Sequence, residues 1–120
     1  DIGMIRKDDI YIPISKGGNT RELVEAIPIA KKLGAFIIAI TQNPNSKIAK
    51  MSDMVLILAS GDEAEGPGGI SGTCSTTVTS VVIDAIAINA MRMNKINQSD
   101  FVLNHPGGAV GEKLRKKFER

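Results

Sequence analysis

Cysteine and histidine each occur once, as Cys74 and His105, and neither sign of charge dominates, with a formal net charge of +2 over 120 residues. Each scarcity removes a class of function. A single cysteine and a single histidine can build neither a disulfide framework nor a multi-ligand zinc site within one chain, so no metal and a reducing, cytoplasmic setting are expected. So small a net charge makes no case for a nucleic-acid partner, and the one basic cluster, the terminal KLRKKFER, reads as a solvated helix face. No charged segment precedes a short apolar core near the start. The longest apolar-rich stretch, 78–93, is interrupted by Asp84 and Asn89, so neither a signal peptide nor a membrane span is expected. The sequence also lacks an initiator methionine and heads from Asp1 straight toward a strand, which reads as a trimmed or partial product.

What is present alternates. Short β-branched runs at 10–14, 36–41 and 54–58 are almost wholly apolar, as parallel strands covered on both faces require, and segments of helical period separate them. The expected fold is an α/β doubly wound parallel sheet in one domain, 1–120. The segment TRELVEAIPIAKKLGA forms a helix with Leu23, Ile27, Ala30 and Lys31 near one stripe, and Gly34 stops it. Pro28 should kink that helix, and Pro13 weakens the first strand. Ser46 caps a short helix over 47–51. A glycine-rich loop, 60–72, carries Asp62, Glu63 and Glu65 and leads to a helix over 75–93 that is apolar around most of its circumference. One sheet can cover only one side of such a helix, so self-association as a dimer or tetramer is expected.

Behind the first strand stands ISKGGNT. Ligands of open parallel sheets bind at the carboxyl ends of the strands, where glycine-rich turns lead into helix starts. Gly17 and Gly18 would let backbone N–H groups approach an anion, and Ser15 and Thr20 offer hydroxyls. The same residues suit a plain turn with Asn19 or Thr20 as N-cap, and this motif alone does not decide between the two. A second hydroxyl-rich helix start, GTCSTT, follows the third strand and reaches the same edge. Two such starts favour a phosphate site made by Ser15, Gly17, Gly18, Asn19, Thr20, Ser75, Thr76 and Thr77.

At these residues the chain resembles a known family. ISKGGNTREL is similar to the phosphate loop of sugar isomerase (SIS) domains, and STTVTSVVIDAIAI followed by DFVLNHPGGAVGEKL resembles the arabinose-5-phosphate isomerase branch. The resemblance implies a SIS-type sheet of flavodoxin-like order. It also implies cofactor-free, metal-free isomerisation of D-arabinose 5-phosphate to D-ribulose 5-phosphate through an enediol. It makes His105, Glu22 and either Glu63 or Glu65 the functional groups. From spacing alone, His105 in NHPGG reads as a turn residue, and Glu22 as a first-turn acid opposing the helix dipole. The family loop usually has a second serine where this chain has Gly17. An upstream glycine-rich segment with a lysine, a further histidine and tandem CBS repeats are absent. The chain is therefore expected to match the carboxyl-terminal two-thirds of a SIS domain, without its first strands. A non-catalytic sugar-phosphate-binding regulatory module and a purely structural oligomerisation module are the competing readings.

Overall fold

The computed structural model describes residues 2–104 and 107–118. These divide into two compact units, one up to Ser80 and one from Val81 onward.

In the first unit a 3-10 turn, Ile2–Met4, precedes β1 (Ile10–Tyr11), α1 (Arg21–Lys32), β2 (Phe36–Thr41), α2 (Lys47–Met51) and β3 (Met54–Ile57). The three strands form a parallel sheet of order β1-β2-β3. β2 runs over the residues its apolar run marks, and as the central strand it buries Ile37, Ala39, Ile40 and Thr41. Ile37 and Ala39 point to the face where Ile27 and Ala30 of α1 and Ile48 of α2 complete the core. Each fully buried isoleucine there contributes roughly 1.5–3 kcal/mol relative to exposure. α1 meets this core with Ala26, Ile27 and Ala30, whereas Lys31 lies at the stripe's margin and pairs with Asp53 at 2.8 Å. Asp53 also accepts the Ile37 N–H at 2.8 Å, which fastens the start of β3 to β2. That lysine bond, then the Ile37 amide, lowers the Asp53 carboxyl below its usual range.

Two expectations are corrected. The first strand is not continuous over 10–14: its ladder stops after Tyr11 and returns as a single bridge, Ile14 to Ile40. Pro13 is the cause, since its carbonyl accepts the Ile40 N–H at 2.9 Å but its ring has no N–H to donate in return. Nor are all strands covered on both faces. Ile10, Ile14 and Met54 are exposed on the face opposite α1 and α2, and Ile57 is exposed at the end of the edge strand β3. α1 runs unbroken through Pro28, which lies on its exposed side.

α3 (Cys74–Met93) starts in the first unit and runs into the second. It is long and apolar enough to cross a membrane by length and composition, with mean hydropathy 1.4, and none of its residues is buried. In the second unit α4 (Gln98–Asn104) packs on α5 (Gly108–Phe118). Asn97 caps α4 by accepting the Ser99 N–H at 2.8 Å.

The turn between β1 and α1 contains two adjacent glycines with different duties. Gly18 has φ +68°, and a Cβ there would lie 2.1 Å from Ser46 Oγ and 2.8 Å from Thr41 Oγ1. At Gly17 the backbone is ordinary and an added Cβ meets nothing within 4 Å, so of the two glycines only Gly18 needs the left-handed conformation. Gly18→Ala should cost on the order of 2–5 kcal/mol from left-handed strain plus overpacking, and Gly17→Ala less than about 0.5 kcal/mol. Urea unfolding of the two variants is the check; equal losses would show that the close approach to Ser46 is not real.

Candidate functional site

Residues 15–20 turn from the end of β1 into α1 and are held by backbone bonds to the neighbouring strand and helix. Ser15 N–H reaches the Ile40 carbonyl at 3.0 Å, the Lys16 carbonyl accepts the Gln42 N–H at 3.0 Å, and the Gly18 carbonyl accepts the Ile48 N–H at 3.1 Å. Ser15 Oγ accepts the Gly18 N–H at 3.1 Å and lies 2.8 Å from Thr20 Oγ1. Thr20 occupies the N-cap position of α1 without a side-chain capping bond, and the first α1 amide with a backbone partner is Val24, to the Thr20 carbonyl at 3.1 Å. The start of α1 is therefore open to an anion, with its dipole and free N–H groups directed outward. Asn19 is committed elsewhere: its Oδ1 accepts the Lys47 N–H at 3.1 Å and its Nδ2 donates to the Gly17 carbonyl at 3.2 Å.

The start of α3 differs because the chain supplies its own anion there. Glu63, only 6% exposed, accepts the Thr73 N–H at 2.9 Å, the Thr73 hydroxyl at 3.1 Å and the Ser75 N–H at 3.2 Å through Oε2. Its Oε1 accepts from Lys16 Nζ at 2.9 Å. The Ser75 hydroxyl, then the Lys16 ammonium and the Thr73 amide, hold the Glu63 carboxyl far below the ordinary carboxylate range, outweighing desolvation. A carboxylate so held is a poor proton acceptor near neutral pH. Glu65 braces its own loop by accepting the Ile70 N–H at 2.9 Å, and the Ser71 hydroxyl, then that amide, lowers its carboxyl.

Between these two helix starts lies a cavity of about 290 Å³. Ile14, Ile40 and Leu58 form its apolar floor, and Ser15, Lys16, Ser75 and Thr76 stand in its walls. The size is near the lower end for small-molecule sites, roughly 300–1,000 Å³. Of the residues expected from sequence, Ser15, Ser75 and Thr76 meet in this cavity, while Gly18 shapes the loop behind it. Glu22 is exposed in the first turn of α1 and is not in the lining; Thr77 turns its hydroxyl back to the Thr73 carbonyl at 3.0 Å. His105 lies outside the described residues. Sequence reading passed over Lys16, Thr41, Gln42, Ser60, Thr79 and Ser80, all of which line the cavity. Helical spacing from Thr76 could have found Thr79 and Ser80, and Lys16 was the one cation in the loop.

A parallel sheet whose carboxyl edge carries an uncapped, hydroxyl-lined helix start beside a small cavity defines an open α/β domain. The chain belongs to the SIS domain family, whose profile matches residues 1–89. It is 42% identical over 119 residues to arabinose 5-phosphate isomerase KdsD of Pseudomonas aeruginosa, covering 99% of this chain and 36% of that protein. With arabinose 5-phosphate isomerase KpsF of Escherichia coli it shares 43% identity over 114 residues, 95% of this chain and 36% of the relative. The chain thus spans little more than a third of the length of the curated relatives it matches. Among solved structures, an Escherichia coli CFT073 protein bound to arabinose 5-phosphate superposes with TM-score 0.79 at 35% identity, over 88% of this chain and 56% of that one. A candidate sugar-phosphate isomerase from Listeria monocytogenes gives TM-score 0.81 at 37% identity, over 88% and 55%.

Because the folded-state Glu63 carboxyl is depressed, its contribution to stability is full above the unfolded value of about 4.3 and is lost as pH falls below it. Glu63→Gln should lower stability at pH 6 and flatten its decline between about pH 4.5 and 3. Parallel acid titrations of the two proteins followed by circular dichroism would show this, and identical slopes would remove the clamp.

Proposed function

We infer that this chain provides the phosphate site and part of the sugar pocket of an isomerase that interconverts D-arabinose 5-phosphate and D-ribulose 5-phosphate. The observation that carries the reading is the uncapped start of α1 opening beside Ser15 and Thr20 at the edge of the cavity. In this reading the phosphate takes N–H groups from the α1 start and hydroxyls from Ser15, Thr20, Ser75 and Thr76, with Lys16 adding positive charge. The α3 amides contribute less than the two-start symmetry of the sequence implies, since Glu63 already occupies two of them.

The chemistry is a proton transfer. A base removes the C2 proton of the open-chain aldose as O1 gains one, which gives the enediol, and the O2 hydroxyl then loses its proton as C1 is protonated to give the ketose. Glu63, locked to Lys16, and Glu65, bonded within its own loop, are better suited to positioning than to this transfer, and His105 and Glu22 are the groups proposed to move protons. The same locked carboxylate favours a second reading, a sugar-phosphate sensor without turnover. A reducing cytoplasm is proposed as its setting, on the ground that its lone thiol, Cys74, has no disulfide partner within the chain. A second copy, in a dimer or tetramer, is proposed to cover α3, where Val81, Ile86, Ile88 and Met91 are exposed.

Titration calorimetry with arabinose 5-phosphate should show binding that Ser15→Ala weakens about tenfold, as expected for loss of a hydroxyl bonded to a charged group. Unchanged affinity in that variant would falsify the phosphate placement, and ribulose 5-phosphate formation separates isomerase from sensor. Light scattering at micromolar concentration should report an oligomer, with Ile86→Asp shifting it toward monomer; a monodisperse wild-type monomer rules this interface out.

A further inference from the structure

Gln42 is the residue directly after β2, and nothing in phosphate binding accounts for the way it is held. Its backbone N–H is bound to the Lys16 carbonyl at 3.0 Å, which ties its position to the anion loop. Its half-buried side chain reaches across the carboxyl ends of β2 and β3, where Nε2 donates to Ser60 Oγ. Both residues line the cavity, in company with Ser15, Lys16 and Thr76. One of the amide's two N–H donors is used, and among the described residues its Oε1 accepts no hydrogen bond. A fixed amide thus offers one donor and one acceptor to whatever fills the space.

An acceptor oxygen is unfavourable beside a phosphate, which needs donors only. It suits a hydroxyl, which both donates and accepts. Thr76 and Thr79 on α3 add hydroxyls to the same lining, while Ile14, Ile40 and Leu58 give an apolar floor over which a carbon chain can lie. Resting on the phosphate site argued above, we propose that Gln42, braced by Ser60, is a specificity-determining residue that reads a hydroxyl of an open-chain polyol phosphate. Gln42 touches the ligand, and Ser60 positions Gln42.

The test compares two probes on this chain, arabinose 5-phosphate and inorganic phosphate, by titration calorimetry, with circular dichroism to establish that each variant is folded. Wild type should prefer the sugar phosphate by about tenfold or more, the worth of one or two hydrogen bonds. Gln42→Ala should weaken the sugar phosphate roughly three- to tenfold and leave inorganic phosphate unchanged. Ser60→Ala should act in the same direction but less, and the double variant should fall short of the sum because the two share one interaction. The proposal is overturned if Gln42→Ala leaves both affinities unchanged, if it lowers both equally, or if wild type binds the two probes alike. A wild type that binds neither probe instead overturns the phosphate site itself, and with it this inference.

Discussion

The site depends on one carboxylate. Glu63 joins Lys16, from the loop after β1, to Thr73 and Ser75, at the start of α3, across 47 and 10 to 12 residues of sequence. No strand pairing connects these two segments, so side-chain electrostatics brings the walls of the cavity together. The arrangement meets the conditions under which a nearly buried charge is tolerable. Each oxygen has a donor, the counter-charge is in contact, and the helix dipole points its positive end at the carboxylate. Removing Lys16 would leave the nearly buried Glu63 without its counter-charge.

With that bond in place, the two helix starts become unequal. α1 and α3 have similar small, hydroxylated sequences ahead of them, yet the protein fills one with its own anion and leaves the other open. The internal anion fixes geometry, and the open start is the one left to supply affinity in the proposed phosphate site. Lys16 lies between them, about one-third exposed, bonded to Glu63 and still facing the cavity. A phosphate at the proposed site would meet a positive field already partly neutralised by Glu63, which would shift its binding toward contacts to the rest of the molecule.

Where local pattern and packing agree, the sequence was legible. β2 and α2 have the bounds their apolar run and Ser46 cap indicate, because a buried central strand leaves an unbroken apolar run and a capped turn depends on neighbours close in sequence. β1 was less so, since Pro13 satisfies the burial pattern while breaking the ladder. Ser15, Ser75 and Thr76 could be named from position alone, as residues at the carboxyl edge of a parallel sheet. The fate of Glu63 could not: whether a loop glutamate acts as base or clamp depends on a lysine far away in sequence. Gln42 escaped notice for a related reason. A single glutamine after a strand carries no pattern, and its meaning comes from Ser60 on the next strand's exit.

The paired glycines of the anion loop have an evolutionary consequence. Position 18 is closed to change by Ser46 and Thr41, whereas position 17 opens onto free space with an unstrained backbone. Drift at the second can alter the chemistry offered beside the loop while the first preserves its shape. The loop thus separates a fixed shape from an adjustable surface within two consecutive residues, so a side chain can be added at position 17 without compensating stability elsewhere.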